Sequence, residues 1–144
     1  MVFLKIVIAF FLVMEITNIA ALYFFPETKL ANSVGIFNAW EGSKAYPEIH
    51  NFVKYLVYWV AGTKLIFILV LGMLLFTADD KILVQAAGAL VLAIASFFWR
   101  LFPQIKKMDR NGEISPVNYS RILGWMIASM IVVFGAGILI AILI

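Results

Sequence analysis

The chain has 144 residues, of which 65% are hydrophobic and only 13% are charged, and its formal net charge is +3. A water-soluble domain of this length needs far more polar surface, so the composition excludes that class and predicts an integral membrane protein. The chain has no cysteine and one histidine, which excludes thiolate sites and argues against a histidine-held metal or haem. We therefore expect no metal, no cofactor and no nucleic-acid partner.

Long apolar stretches in the sequence predict an all-α fold with four transmembrane helices. We place these helices at about residues 2–25, 52–76, 82–102 and 119–144, in a single transmembrane domain that covers residues 1–144. The first helix should end before Pro26 and the third before Pro103, because proline disfavours helical geometry in the residue before it. The first stretch is too long for the core of a signal peptide, so we interpret it as a retained helix.

Two polar connections, residues 27–50 and 104–117, must lie on the same side of the bundle because the chain crosses the membrane twice between them. In the first connection, Ile36, Phe37 and Trp40 recur at helical spacing. This pattern is compatible with a short helix in the headgroup region or with an ordinary loop that carries an aromatic anchor. The segment 109–115 has the glycine of a calcium-binding loop but lacks the required carboxylates, so we interpret it as a polar turn.

The two halves of the chain share a pattern of residues. Phe25-Pro26 aligns with Phe102-Pro103, Asn51 with Asn118, and Lys54 with Arg121. This similarity predicts a tandem duplication of a two-helix hairpin. Because each half contains an even number of spans, the repeat is parallel and predicts a pseudo-two-fold axis along the membrane normal.

Two charged residues lie near the middle of apolar stretches, Glu15 in the first helix and Lys64 in the second. Each costs about 2.5–3.5 kcal/mol at mid-membrane depth, so each needs a partner or a function. Both lie about 14–15 Å from the same interface, and their helices are sequential and antiparallel, so we predict an ion pair. Asn18 lies one turn from Glu15, and Thr63 and Ser129 lie at similar depth, where they would complete a polar binding site.

Cations are concentrated on the side of the two long connections. By the positive-inside rule, these connections are cytoplasmic and both chain ends lie outside, in a plasma or inner membrane. The same side should attract anionic lipid headgroups. The residues that we expect to contact headgroups are Trp40, Lys54, Arg100, Lys106, Lys107 and Arg121.

The sequence contains no recognisable catalytic motif, so we assign no catalytic residues. Our first hypothesis is that Glu15, Asn18 and Lys64 bind or translocate an ion, a proton or a small amphiphile. Our second is that the charged pair is a structural staple in a non-catalytic accessory or assembly subunit of a larger membrane complex. The third is a lipid-active enzyme that uses Glu41, Glu48 or His50 at the interface. In each case, we expect lipid as a partner and assembly as a homo-oligomer or within a membrane complex.

Overall fold

The computed structural model describes residues 1–143, and within that range the fold is built from helices. The α-helices are α1 (Val2–Phe24), α2 (Asn38–Ser43), α3 (Pro47–Thr77), α4 (Asp80–Ala95), α5 (Leu101–Arg110) and α6 (Tyr119–Leu143). Short 3₁₀ turns cover Val34–Ile36 and Ser96–Phe98. Residues 1–143 contain no β-strand beyond an isolated antiparallel bridge between Phe37 and Ile114. The end of the fourth predicted helix, residue 144, lies outside the described residues.

Within residues 1–143, four helical segments are long and apolar enough to cross a membrane. They are α1, α3, the segment Asp80–Arg110 that contains α4 and α5, and α6. This confirms the predicted all-helical class and the number of helices of membrane-spanning length. Many large apolar side chains on their outer faces are exposed, among them Phe10, Phe76 and Trp125. Such a surface is compatible with contact to lipid.

Helix α1 packs against both α3 and α6, and α4 packs against α6 and contacts α3. Residues of all four helices form the main core: Leu4, Ile8 and Phe11 of α1, Ile68 and Leu71 of α3, Leu83 and Ala87 of α4, and Phe134 of α6. The backbones of α1 and α6 approach closely at Gly137, where an added Cβ would lie 3.1 Å from Cδ1 of Leu4. Small residues permit this kind of close helix packing in lipid.

The two long connections contact each other at one end of the bundle. The backbone N–H of Asn38 donates to the carbonyl of Glu113 at 2.9 Å, and that of Ser115 donates to the carbonyl of Ile36 at 2.8 Å. At the opposite end, Nζ of Lys5 lies 3.7 Å from Oδ1 of Asp80. Helix α2 provides the short helix that was one of the two alternatives for the first connection.

Two helix boundaries differ from the sequence prediction. Helix α3 begins at Pro47 and not near residue 52, because proline is well suited to the first turn of a helix. The prediction that Pro103 ends a helix is wrong. The chain leaves α-helical geometry earlier, at Ser96–Phe98, and Pro103 lies in the first turn of α5, where its missing N–H is not needed. The predicted loop 104–117 is therefore helical as far as Arg110.

Residues that the repeat would make equivalent differ in local structure. Pro26 follows the end of α1, whereas Pro103 lies inside α5. Asn51 lies within α3, whereas Asn118 precedes α6 and has a left-handed backbone with φ of 66°. The tandem duplication stays a prediction from the sequence.

Candidate functional site

Glu15 of α1 and Lys64 of α3 form an ion pair inside the bundle. Oε2 of Glu15 lies 2.7 Å from Nζ of Lys64, and the two side chains are 20% and 31% exposed, respectively. Glu15 lies about 15 Å along α1 from Lys5; in a membrane crossed by α1, this depth would be close to the middle of a hydrocarbon core about 30 Å thick. Each of the two charges has an opposite charge beside it, and neither side chain is fully buried.

Asn18 joins this ion pair to the first connection. Its side chain is buried, and its Oδ1 accepts a hydrogen bond from Nζ of Lys64. Its Nδ2 donates to the carbonyl of Ala31 and, at 3.3 Å, to that of Asn32. Both of these loop residues have left-handed backbones, with φ of 52° and 54°, which is uncommon outside glycine. The amide of Asn18 therefore stabilises an unusual loop conformation directly beside the charged pair.

The same loop lies unusually deep for an irregular backbone. Asn18 is about 9 Å along α1 from Phe24, so the carbonyls that it binds reach well below the end of the helix. Non-helical backbone at such a depth must be buried in protein or line a hydrated cavity. Here Oδ1 of Asn32 also accepts a hydrogen bond from the hydroxyl of Tyr119 at 2.6 Å. Residues from α1, α3, α6 and the loop thus meet at one place.

A cavity of about 320 Å³ opens beside the ion pair, between α1 and α6 and under the loop. Glu15, Asn18 and Lys64 line it, so the charged pair borders free space. Its other lining residues are Met14, Lys29, Leu30, Ala31, Asn32, Tyr119, Ile122, Leu123, Met126, Ile127 and Met130.

A second cavity of about 280 Å³ lies next to the first, further along the same two helices. Its lining is apolar apart from Ser129, and consists of Val7, Phe10, Phe11, Met14, Met126, Ser129, Met130, Val133 and Phe134. Met14, Met126 and Met130 line both cavities, and methionine side chains readily change shape. We call the two cavities together the α1–α6 groove, which is polar near the loop and apolar towards Val7.

The structure does not bring Thr63 and Ser129 to the charged pair. The hydroxyl of Thr63 is exposed and donates to the carbonyl of Trp59 at 2.9 Å. The hydroxyl of Ser129 donates to the carbonyl of Met126 at 2.8 Å, and the residue lines only the apolar part of the groove. Serine and threonine hydroxyls within helices often bond to the preceding turn in this way. Glu15, Asn18 and Lys64 are the predicted site residues that do come together.

The residues expected to contact lipid headgroups differ in their exposure: Trp40 is buried, and the charged residues are exposed or partly exposed. The ring of Trp40 is only 4% exposed and packs against Leu22, Val57 and Ala61, so the structure corrects its predicted position at the lipid surface. It is buried because α2 folds back over the helix bundle.

The charged members of that set remain near the surface. Lys106 and Arg121 line a further pocket, and the guanidinium of Arg100 lies 5.7 Å from the ring centre of Trp99. Lys107 is exposed and Lys54 is partly exposed, and neither lines that pocket.

Sequence reasoning missed Lys29, Asn32 and Tyr119 as part of the polar site. They reach it because the first connection folds back onto α1 and because α6 begins beside that connection. Neither contact has a local signal in the sequence. The three methionines that line both cavities gave no specific signal in the sequence, because methionine is common in any apolar helix.

No protein-family model, curated protein or solved structure matches this chain.

Proposed function

We propose that this chain is a small polytopic membrane protein that binds a single-chain amphiphile in the α1–α6 groove. The observation that carries the proposal is that the Glu15–Lys64 pair lines a cavity next to an apolar one between the same two helices. A polar head would lie beside the charged pair, and an acyl tail would lie in the apolar part.

The charges around the polar end favour an anionic or hydrogen-bond-accepting head. A lysine ammonium carries three N–H donors. Among residues 1–143, Lys64 donates to Oδ1 of Asn18 and pairs with the carboxylate of Glu15. A third donor is then free for a ligand. Lys29 lines the same cavity, so two cations and one carboxylate surround the space. A carboxylate head, as in a fatty acid, matches this excess of positive charge.

The dimensions of the groove suit one acyl chain. From Asn18 to Val7 the groove extends about 17 Å along α1, which is roughly half of a hydrocarbon core about 30 Å thick. The apolar end is walled by Phe11, Val133 and Phe134. The methionines between the two cavities could adjust to tails of different shape, as methionine-lined surfaces do in other binding proteins.

One observation favours the second hypothesis, a structural subunit. Asn18 bonds both to Lys64 and to the loop carbonyls, so the polar network also ties α1, α3 and the first connection together. In that case, the pair would be a staple within an accessory or assembly subunit of a larger membrane complex.

Photo-crosslinking tests the proposal. The purified protein is reconstituted in phosphatidylcholine nanodiscs and irradiated with a diazirine-bearing fatty acid, and the adducts are mapped by mass spectrometry. We expect adducts at residues 7–14 of α1 and 126–134 of α6, and we expect unlabelled fatty acid to compete.

Two substitutions on α6 extend the test, one inside the groove and one matched control outside it. Ser129→Phe fills the apolar part of the groove and should reduce labelling. Val132→Phe adds the same ring at a position that is 69% exposed and outside the lining of both cavities, so it should leave labelling unchanged. Equal labelling of both variants, or adducts spread over the outer face of α3, would remove the amphiphile proposal and favour the structural subunit.

A further inference from the structure

A third pocket, of about 440 Å³, lies between α5 and the beginning of α6. It is lined by Lys106 and Arg110 from α5 and by Arg121 from α6, together with Phe102, Asp109, Val117, Asn118 and Ser120. We propose that this pocket binds a phosphate group, carried either by a lipid headgroup or by free inorganic phosphate. The site is separate from the α1–α6 groove and does not depend on the function proposed for it.

Two of the three cations are exposed neighbours on the same helix. Lys106 and Arg110 are four residues apart on α5 and so share one helix face, where like charges repel and destabilise the helix. Among residues 1–143, no carboxylate oxygen lies within 4.0 Å of the charged nitrogens of Lys106, Arg110 or Arg121. The described part of the chain therefore offers them no ion pair, and a bound anion would offset their repulsion.

Asp109 lines the pocket, but its carboxylate hydrogen-bonds to Asn118 and Ser120 and to none of the three cations. Its Oδ1 accepts from the backbone N–H of Asn118 at 3.0 Å, and its Oδ2 accepts from the backbone N–H of Ser120 at 2.9 Å and from the Ser120 hydroxyl at 2.6 Å. The carboxylate thus caps the start of α6 and fixes α6 against α5. Three cations and one carboxylate leave an excess of two positive charges in the pocket.

The chemistry of the lining suits phosphate. An arginine guanidinium can donate two parallel hydrogen bonds to a phosphate, and lysine adds a compact positive charge. Arg110 and Arg121 come from different helices, so they can approach one phosphate from two sides. Phe102 and Val117 add an apolar wall, which would suit the glycerol or upper acyl part of a lipid.

The test uses the complete protein in nanodiscs of phosphatidylcholine, with or without a minor fraction of phosphatidylglycerol. Native mass spectrometry counts the phosphatidylglycerol molecules retained. Calorimetry measures binding of inorganic phosphate to the protein in dodecyl maltoside micelles, which carry no phosphate. In the proposed site each pocket cation donates a hydrogen bond to the phosphate, so removing one should weaken binding at least about tenfold, and Lys106→Gln/Arg121→Gln should weaken it about 100-fold. The matched control is Lys107→Gln, which removes the same charge from the same helix but outside the pocket.

Retention of the lipid without phosphate binding would identify a headgroup site, and binding of inorganic phosphate would identify a free-anion site. Either result supports the proposal if it is weakened in the double variant and not in Lys107→Gln. If Lys107→Gln weakens binding as much as the loss of one pocket cation, the attraction belongs to the whole basic surface and the proposal is wrong. It is also wrong if neither ligand binds. Should the double variant fail to fold, Arg110→Gln alone replaces it, with an expected loss of about tenfold.

Discussion

Oε2 of Glu15 lies 2.7 Å from Nζ of Lys64, and both side chains also line a cavity that extends between α1 and α6. Each charge therefore has the partner that a membrane would require, and the pair still presents polar atoms to a space that a ligand could occupy. Replacing both residues separates stability from binding, because the double variant leaves no unpaired charge but has no ammonium at position 64.

Removing either member of the pair should destabilise the fold. Glu15→Gln and Lys64→Met should each lower the free energy of unfolding by about 3 kcal/mol or less, because a charge is left without its partner but stays partly exposed. The double variant should recover much of this loss. Reversible unfolding in mixed micelles, analysed as a double-mutant cycle, measures the coupling. Losses that simply add would contradict an interacting pair.

Asn18→Ala should release the loop from α1. The substitution removes the donor to the carbonyls of Ala31 and Asn32 and an acceptor for Lys64, which should cost about 1–3 kcal/mol. Amide hydrogen exchange should increase across residues 30–34. The control is Thr17→Ala, whose hydroxyl is exposed and bonds only to the carbonyl of Val13 within its own helix. If exchange in the loop is the same in both variants, Asn18 does not hold the loop.

The first connection should tolerate a methyl group at one glycine and not at another. A Cβ added at Gly35 would lie 1.9 Å from the carbonyl oxygen of Glu27, so Gly35→Ala must displace backbone and should destabilise the protein by at least about 1–3 kcal/mol. Gly42, in α2, has no atom within 4 Å of the added Cβ. There, alanine should be neutral or stabilise by up to about 1 kcal/mol. Thermal unfolding of the two variants provides the comparison, and equal midpoints would show that the loop packing is different.

The charge distribution predicts an orientation in the membrane, and testing this prediction requires accessible probe sites. Ser43 is a poor choice because it is only 6% exposed, so a cysteine there would be unreactive on either side. We expect single cysteines at the exposed positions Glu41 and Asn111 to resist an impermeant thiol reagent in intact cells, and a cysteine at Lys81 to react. Labelling at Glu41 or Asn111 without permeabilisation would reverse the predicted orientation.

The sequence was sufficient to predict the four helical segments of membrane-spanning length and the contact between Glu15 and Lys64. Continuous apolar stretches define membrane-length helices almost independently of tertiary context. The cost of an isolated charge, combined with equal depth on neighbouring antiparallel helices, left few partners for either residue. Asn18 followed from its position one turn along the same face.

The remaining features depend on contacts that residue spacing does not encode. Depth placed Thr63 and Ser129 near the site, but depth does not specify which face of a helix a side chain occupies. A proline after an apolar stretch predicts a helix end at Pro103, but the first turn of a new helix accepts proline equally well. The hydrogen bonds from Asn18 to Ala31 and Asn32 depend on how the loop folds. Residue spacing therefore could not predict that these loop residues line the cavity.

The measurement that tests the central claim most directly is fatty-acid photo-crosslinking of the Glu15→Gln/Lys64→Met double variant, with its stability determined in the same preparation. If the α1–α6 groove binds an amphiphile through Lys64, the variant should regain stability while its affinity for the fatty acid falls about 10- to 100-fold, the loss expected for one hydrogen bond to a charged group. Labelling of the groove at the wild-type level by this stable variant would contradict the claim and identify the pair as a structural staple.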